Sequence, residues 1–246
     1  MARAPGKSSE AREQDTVKNV KTSIIVPVYN EEDTIEKVLR RIQSVPLRKE
    51  IVVVDDGSDD RTTDVLRRMS CVANVRVFYH YENQGKGAAV RTGLKRACGD
   101  VVLIQDADLE LDPVCYPSLV QPIVEDEADV VYGSRFTYGN VKGLPWYRYW
   151  GNRFLNYLAN VICGSDFTDL QTCYKVFRRE IAEEIELKSD GFAFDPEFTA
   201  RIAKANYRIC EVPVSYHPRE REEGRKYCWK DAVISLPAMV WFGLAA

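Results

Sequence analysis

A short apolar run that ends in three acidic residues decides the fold of this chain, and it reads Val-Val-Leu-Ile-Gln-Asp-Ala-Asp-Leu-Glu over residues 101–110. Its four apolar residues, mostly β-branched, predict a buried strand of a parallel sheet. In open α/β sheets, ligands bind beyond the carboxyl ends of the strands, which is where Asp106, Asp108 and Glu110 fall. Crowded carboxylates need a cation among them, and oxygen ligands suit Mg²⁺ or Mn²⁺ shared with substrate phosphates. The alternative is a solvated acidic turn, since Asp is common in turns.

The composition limits the classes of protein to which the chain can belong. Its 246 residues suit one large α/β domain or a domain with an appendage. A net charge of −3 argues against nucleic-acid binding. Seven scattered cysteines without a Cys-x-x-Cys pair predict reduced thiols in a cytoplasmic protein, and two histidines are too few for a His-based zinc site.

The two ends of the chain differ in polarity. Residues 1–21 are polar and charged, and we expect a disordered tail there. Residues 231–246 predict an apolar C-terminal helix, which is too short to cross a bilayer because a spanning helix takes about 20 apolar residues. This helix either packs on the core or lies on a membrane surface.

Strands and helices alternate along the first half of the chain. Strands are predicted at 23–28, 51–54, 75–79, 101–105 and 128–132. Short helical connections between them predict a mostly parallel, doubly wound α/β sheet. The second half mixes helices with strands and is expected to continue the same domain.

Polar residues follow three of these strands. Tyr29 and Glu31 follow the first, Asp56 the second, and Asp106 and Asp108 the strand at 101–105. Because the carboxyl ends of parallel strands share one edge of a sheet, we expect a single pocket there. An aromatic ring with nearby carboxylates suits a nucleoside, since the ring can pack on the base and a carboxylate can accept from a base N–H or a ribose hydroxyl.

Other motifs exclude functions or point to anions. No Gly-x-Gly-x-x-Gly follows the first strand, which argues against a dinucleotide-dependent oxidoreductase. Residues 83–87, Asn-Gln-Gly-Lys-Gly, match a phosphate loop poorly and are expected to start a helix packed closely against the sheet. Residues 201–230 hold eight basic and four acidic residues, and Arg135 and Arg148 precede them. Arginines so placed suit phosphate recognition, and a solvated loop is the alternative for 219–226.

Taken together, four motifs resemble an inverting family-2 glycosyltransferase of the GT-A fold. They are Pro-Val-Tyr-Asn-Glu-Glu (27–32), Val-Asp-Asp-Gly-Ser (54–58), Asp-Ala-Asp (106–108) and Gly-Ser-Arg (133–135). Within that family the chain is similar to the polyprenyl-phosphate (dolichyl-phosphate) mannose and glucose synthases.

The resemblance spans about residues 22–230 and implies a GT-A domain with two halves. Residues 22–133 would be the nucleotide-sugar half, and 134–230 an α+β extension on the acceptor side. The implied reaction moves a hexose from GDP- or UDP-hexose to a polyprenyl phosphate in one in-line displacement, with Mg²⁺ or Mn²⁺. It also implies a cytoplasmic enzyme with peripheral contact on the cytoplasmic membrane face.

The resemblance assigns roles on the donor side. The positions that bind the nucleotide sugar match Pro27, Tyr29, Glu31, Val54, Asp56, Asp106, Ala107 and Lys226. The metal positions match Asp106, Asp108 and Glu110, where the synthases often have Gln in place of Glu110.

On the acceptor side, the matching positions are Arg135, Arg148 and Asn152, and Arg221 falls in a late loop that closes over the diphosphate. Asp108, Arg135 and Arg221 are therefore expected to be catalytic. A phosphate acceptor needs no general base, whereas a hydroxyl acceptor does, and Asp169 and Asp195 are then the candidates.

Two other functions stay open at this point. The chain could transfer sugar to a glycan or another hydroxyl with a carboxylate base, or it could bind sugar nucleotides without catalysis. Sugar-phosphate nucleotidylyl transfer is disfavoured, because the Gly-rich loop that it needs after the first strand is absent.

Overall fold

The structure is a computed structural model. It describes residues 19–137 and 146–218, together with Val17, Pro237 and residues 240–242; the side chains of Tyr147, Arg148 and Cys163 are outside this description. Residues 138–145 and the predicted site residues Arg221 and Lys226 thus also lie outside the described residues.

A single sheet runs through the described part of the chain. Its strands are β1 (Thr22–Val28), β2 (Lys49–Asp55), β3 (Val75–Tyr79), β4 (Val101–Ile104), β5 (Val130–Ser134), β6 (Lys175–Arg178) and β7 (Ile209–Pro213). The strand order is β3-β2-β1-β4-β6-β5-β7. β6 is antiparallel to both of its neighbours, β4 and β5, and the other pairs are parallel. The predicted α/β sheet, mostly parallel, is confirmed.

Helices cover both faces of the sheet. They are α1 (Ile35–Ser44), α2 (Thr62–Met69), α3 (Lys86–Leu94), α4 (Tyr116–Val124), α5 (Trp146–Cys163), α6 (Arg179–Glu184) and α7 (Phe194–Lys204), with a 3-10 turn at Pro113–Cys115. Alternate side chains of β1 point to opposite faces. Ile24 joins a core with the apolar faces of α1, α2 and α4, and Ile25 joins another with α3, α6 and α7. The sheet is therefore doubly wound.

Helix α3 meets two different surfaces. Near its end, a Cβ on Gly93 would clash with the side chain of Ile25, so here the helix packs closely on β1. At its start, a Cβ on Gly85 or Gly87 would clash with the backbone of residues 189–191. The expectation that residues 83–87 start a helix packed closely against the sheet is therefore confirmed, and the first turn of this helix also packs closely against the loop before α7.

The ends of the domain differ from the sequence-based boundaries in one respect. Val17 is helical and 5% exposed within the main core, so the folded part of the chain includes this residue of the predicted tail. Pro237 and residues 240–242 are helical, and Phe242 packs beside Ala159 and Leu170. Among the residues that the structure describes, no helix is both long and apolar enough to cross a membrane.

Candidate functional site

The carboxyl ends of β1 and β2 are tied together by hydrogen bonds. The backbone N–H of Asp56 donates to Val28 O at 2.8 Å. Asn30, in a left-handed conformation with φ 51°, exchanges side-chain and backbone hydrogen bonds with Asp59. The backbone N–H of Glu31 donates to Thr62 Oγ1 at 2.7 Å. These bonds fix the chain ends that carry the predicted nucleoside-binding residues.

Asp56 is buried at this edge, and two backbone N–H groups and the His80 imidazole surround its carboxylate. Oδ1 accepts from the backbone N–H of Gln84 at 3.0 Å and lies 2.7 Å from His80 Nδ1, while Oδ2 accepts from the backbone N–H of Gly85 at 2.7 Å. His80 Nε2 lies 2.9 Å from Thr92 Oγ1. Asp56 therefore also holds the loop that leads into α3, and His80 is a partner that the sequence did not reveal.

The other predicted donor-side residues lie at the same edge. Pro27 and Val54 are buried opposite each other in the register of β1 and β2, while Tyr29 and Glu31 are half-buried just beyond β1. Ala107 is buried, and its carbonyl accepts from Thr34 Oγ1 at 3.0 Å. The structure thus brings together the strand ends that the sequence predicted would meet.

The buried side chain of Gln105 holds the Asp-Ala-Asp motif in position. Its Oε1 accepts from the hydroxyls of Tyr116 at 2.7 Å and Tyr174 at 2.8 Å, and its Nε2 donates to Asp106 O at 2.9 Å. All three side chains are fully buried. The buried amide therefore links β4 to α4 and to the approach of β6, and holds Asp106 at the strand end.

Asp106 belongs to a chain of alternating charges. Lys86 Nζ lies 2.9 Å from Asp106 Oδ1 and 3.8 Å from Asp195 Oδ2. Asp195 Oδ1 in turn lies 2.5 Å from Nζ of the fully buried Lys175. The thiol of Cys173 donates to Asp106 Oδ2. The cation that the crowded carboxylates require is therefore supplied by the protein, at Lys86.

These contacts control protonation. Burial disfavours the charged form of Lys86, but Asp106 and Asp195 outweigh burial and raise the pKa of Lys86 well above its usual range. Burial likewise opposes the charge of Asp106, but Lys86 and the Cys173 thiol lower the pKa of Asp106 below its usual value. Both groups are thus charged near neutral pH.

The three predicted metal ligands do not converge. Asp108 Oδ1 accepts from the backbone N–H of Glu110 at 3.1 Å, and Glu110 Oε2 accepts from the hydroxyl of Tyr216 at 3.0 Å. In the described part of the chain, no three His, Cys, Asp or Glu side chains form a group that could hold a metal ion. Asp106 and Asp108 fit the other known arrangement, in which Mg²⁺ takes one or two carboxylates and its remaining ligands from substrate phosphates and water.

Arg135 is paired with Asp169 at the end of β5. Its Nε and Nη2 donate to Asp169 Oδ2 and Oδ1 at 2.7 and 2.8 Å, and its backbone N–H donates to Oδ2 at 3.0 Å. The guanidinium also lies 5.1 Å from the ring of Tyr216. Burial disfavours the charged guanidinium, but Asp169 outweighs burial and raises the pKa of Arg135 further. The sequence placed both residues in the site but did not pair them.

The remaining acceptor-side predictions fall on α5. Asn152 is half-buried there, and Arg148 lies one turn earlier, with its side chain outside the description. The sequence missed Lys86, Lys175 and Cys173 as members of the site. A lysine between two glycines at a helix start was the available signal for Lys86; nothing local marked the other two.

Comparison with known proteins decides the family. The model of glycosyl transferase family 2 matches residues 23–186. This chain belongs to glycosyl transferase family 2. The family predicted from the four sequence motifs is therefore confirmed.

Two relatives are similar to this family 2 chain over most of its length. A dolichol-phosphate mannosyltransferase of Pyrococcus furiosus is 32% identical over 212 residues, which cover 84% of this chain and 59% of the relative. Glycosyltransferase AglD of Haloferax volcanii is 30% identical over 213 residues, covering 83% of this chain and 34% of the relative. The chain thus spans about three-fifths of the length of the mannosyltransferase and about one-third of the length of AglD.

The fold of this glycosyltransferase matches solved structures. Glucosyl-3-phosphoglycerate synthase of Mycobacterium tuberculosis, crystallised with Mn²⁺, UDP and glucosyl-3-phosphoglycerate, superposes with a TM-score of 0.72 at 17% identity. The match covers 98% of this chain and 86% of the synthase. At this identity the likeness confirms the predicted GT-A fold alone; the roles assigned to single residues stay predictions.

Proposed function

We propose that this glycosyltransferase moves a hexose from GDP- or UDP-hexose to a polyprenyl phosphate, with inversion at the anomeric carbon. One observation carries the proposal: both carboxylates that could serve as a general base are already paired with cations. Asp169 accepts from Arg135 through both oxygens, and Asp195 lies between Lys175 and Lys86. A phosphate acceptor is already an anion and needs no base, whereas a hydroxyl acceptor does.

On the donor side, Tyr29 would pack on the base and Asp56 would accept from it. Asp106 and Asp108 would hold Mg²⁺ or Mn²⁺ together with diphosphate oxygens. When bound, such an ion supplies charge neutralisation on the leaving diphosphate, which is the largest electrostatic demand of the displacement. Lys86, 2.9 Å from Asp106 and 3.8 Å from Asp195, adds a fixed positive charge at the same point and offsets the repulsion between these two carboxylates.

On the acceptor side, Arg135 would orient the lipid phosphate. Its bonds to Asp169 and Gln171 use Nε and Nη2, so phosphate binding would use Nη1. Asp169 fixes the guanidinium plane, and Tyr216 stacks near it, which reduces the entropy lost when the phosphate binds. Arg148, one helix turn before Asn152, would supply a second cation.

One relative supports the lipid acceptor. This chain matches a dolichol-phosphate mannosyltransferase over 84% of its length and carries Arg135 at the end of β5.

The decisive experiment measures release of nucleoside diphosphate. The protein is incubated with GDP-mannose, UDP-glucose and related donors, with and without a short-chain polyprenyl phosphate, with Mg²⁺, Mn²⁺ or EDTA. We expect release that needs both polyprenyl phosphate and metal. Arg135→Lys is the matched variant, since it keeps the charge but loses the bidentate geometry; we expect about a tenfold to hundredfold loss of transfer.

Two results would contradict the proposal. One is a preference for a sugar or protein hydroxyl over polyprenyl phosphate, together with loss of that transfer in Asp195→Asn. The other is release that is indifferent to EDTA. The first would replace the lipid phosphate with a hydroxyl acceptor; the second would remove the metal.

A further inference from the structure

The carboxylate of Asp56 has little hydrogen-bonding capacity left for a ligand. A carboxylate offers about four acceptor sites, two on each oxygen. Among the described residues, three groups already use them: the backbone N–H of Gln84 and His80 Nδ1 bind Oδ1, and the backbone N–H of Gly85 binds Oδ2. Both sites of Oδ1 are therefore taken, and about one site remains, on Oδ2.

The imidazole of His80 is fixed in this position. An ionised carboxylate only accepts hydrogen bonds, so Nδ1 carries the hydrogen, and Nε2 lies 2.9 Å from the hydroxyl of Thr92. The backbone N–H of His80 donates to Asp55 O at 2.8 Å. The side chain of His80 is only 9% exposed. A ligand would therefore have to break several buried contacts to displace His80 from Oδ1.

The loop that supplies the two backbone donors is held as firmly. A Cβ on Gly57, whose φ is 72°, would clash with the backbone of Glu82 and Asn83. The next part of the loop touches the backbone of residues 189–191 at Gly85. A shift that released Oδ1 would thus have to move the turn after β2 and the loop before α7 as well.

Nucleotide bases differ in what they can offer to a single acceptor site. Guanine donates through two adjacent groups, N1–H and N2–H, which together match both oxygens of a carboxylate. Uracil donates through N3–H alone, with a carbonyl on each side. Cytosine and adenine place a ring-nitrogen acceptor beside their amino group, and a carboxylate repels that acceptor. One free site on one oxygen therefore suits uracil.

We propose that the donor of this enzyme is a UDP-sugar, and that His80 is a positioning residue that disfavours GDP-sugars by occupying Oδ1 of Asp56. The inference rests on the proposed function, in which Asp56 accepts from the nucleoside base, and it chooses between the two donor classes given there. Guanine would use the site on Oδ2 for N1–H and would leave N2–H without an acceptor. The preference would thus come from a donor left unpaired on the wrong base.

The first test compares the affinities of three nucleotides in the absence of any acceptor. Isothermal titration calorimetry of the full chain with Mg²⁺ measures Kd for UDP, GDP and CDP. All three share the ribose and the diphosphate, so their differences report on the base. We expect UDP to bind about tenfold to hundredfold more tightly than GDP. CDP is the control for ring size, because it is a pyrimidine with the wrong edge, and it should also bind at least about tenfold more weakly than UDP.

The second test changes His80 in two ways with nearly the same side-chain volume. His80→Asn keeps an N–H donor near the position of Nδ1, whereas His80→Leu has none and frees one site on Oδ1. The ratio of Kd for GDP to Kd for UDP should fall about tenfold in His80→Leu and stay close to the wild-type ratio in His80→Asn. A purely structural role would weaken both nucleotides alike and leave the ratio unchanged. Circular dichroism of each variant checks that the fold is kept.

Three results would overturn the inference. GDP that binds as tightly as UDP would refute the choice of base, and CDP that binds as tightly as UDP would assign the preference to ring size. Equal ratios in the two variants would remove the role of His80. These failures differ from failure of the proposed function. A protein that binds neither UDP nor GDP would refute the nucleotide-sugar donor itself, whereas a hydroxyl acceptor would leave the preference for UDP in place.

Discussion

Carboxylates on the two sides of the catalytic edge are held by different kinds of partner. At the end of β2, on the donor side, Asp55 and Asp56 accept from hydroxyls, backbone N–H groups and an imidazole. On the acceptor side, Asp169 is paired with Arg135 at the end of β5, and Asp195 with Lys175. The strand ends that would hold the nucleoside are thus a network of hydroxyl, backbone and imidazole partners, and the acceptor side is a set of buried ion pairs.

This difference determines which substitutions each side tolerates. A carboxylate satisfied by neutral donors loses one hydrogen bond at a time when a partner is changed. A buried ion pair that loses one member leaves a charge without compensation, at a cost of about 3–5 kcal/mol. We therefore expect changes on the acceptor side to affect folding first, and changes on the donor side to affect substrate binding first.

The largest effect is expected for Asp169→Ala. The variant leaves the buried guanidinium of Arg135 without its bidentate partner, so the free energy of unfolding should fall by about 3–5 kcal/mol. Urea denaturation followed by circular dichroism measures this loss. The double variant Asp169→Ala/Arg135→Met should recover much of the stability, because it removes the stranded charge. A loss under about 1 kcal/mol in the single variant would show that the pair is solvated, and the contrast between the two sides would fail.

Asp108→Asn should affect catalysis and leave folding intact. Asp108 accepts from the backbone N–H of Glu110, which an Asn side-chain oxygen can still do. Loss of one carboxylate from the metal-binding pair should lower kcat by about 10²–10³, or roughly 3–4 kcal/mol. Steady-state kinetics with a Mg²⁺ titration measures the change, and urea denaturation serves as the control. Near-wild-type turnover would sink the assignment of Asp108 to the metal.

The donor and acceptor sides also differ in how far the sequence could predict them. The donor side was predictable because strand ends are local features: each apolar run is followed by its own polar residues, and parallel pairing brings those ends to one edge. Tyr29, Asp56 and Asp106 were placed there without any knowledge of their partners. The fold class followed from the same alternation of strands and helices.

The acceptor side could be predicted only as a list of residues. Arg135 and Asp169 are 34 positions apart, and Lys175 and Asp195 are 20 apart, with β6 running antiparallel between its neighbours. No periodicity in the sequence reports such pairings, because they exist only when the second half folds back on the sheet. For the same reason the triad of Asp106, Asp108 and Glu110 was predicted from spacing, while the structure directs Glu110 to Tyr216.

Glu50 combines both kinds of partner and tests the contrast through pH. It lies at the opposite edge of the sheet, where Ser23 Oγ and the backbone N–H of Cys98 donate to it and Arg76 lies 3.1 Å away. Burial would raise the pKa of Glu50, but the hydrogen bonds from Ser23 and Cys98 and the charge of Lys21 outweigh it and lower the pKa from 4.5 to about 2. Because the folded-state pKa is lowered, the stabilisation is present above about pH 4.5 and is lost as the pH falls toward 2.

The expected size of this effect is about 2–3 kcal/mol at pH 7, of which about 1 kcal/mol is already lost at pH 4. Urea denaturation at pH 7 and at pH 4 measures the difference in unfolding free energy between wild type and Glu50→Gln, and this difference should be smaller at pH 4. Glu36→Gln is a control, because the exposed pair of Glu36 and Arg40 contributes at most about 1 kcal/mol. A difference between wild type and Glu50→Gln that does not change with pH would contradict the lowered pKa.

The smallest effect is expected for Asp56→Asn, compared with its neighbour Asp55→Asn. An Asn at 56 would turn an amide N–H toward the backbone N–H of Gln84 or Gly85, so one bond is lost and the loop before α3 shifts slightly. If Asp56 also accepts from the nucleoside base, KM for the nucleotide sugar should rise about tenfold with little change in kcat, since base recognition is equal in ground and transition states. Asp55 instead accepts from Ser58 in the turn after β2 and from Thr63 in the first turn of α2, so Asp55→Asn should lower stability and leave KM unchanged. Steady-state kinetics with donor titration separates the two variants. Should Asp55→Asn raise KM as much as Asp56→Asn, the effect would come from the shared turn, and Asp56 would have no contact of its own with the nucleoside.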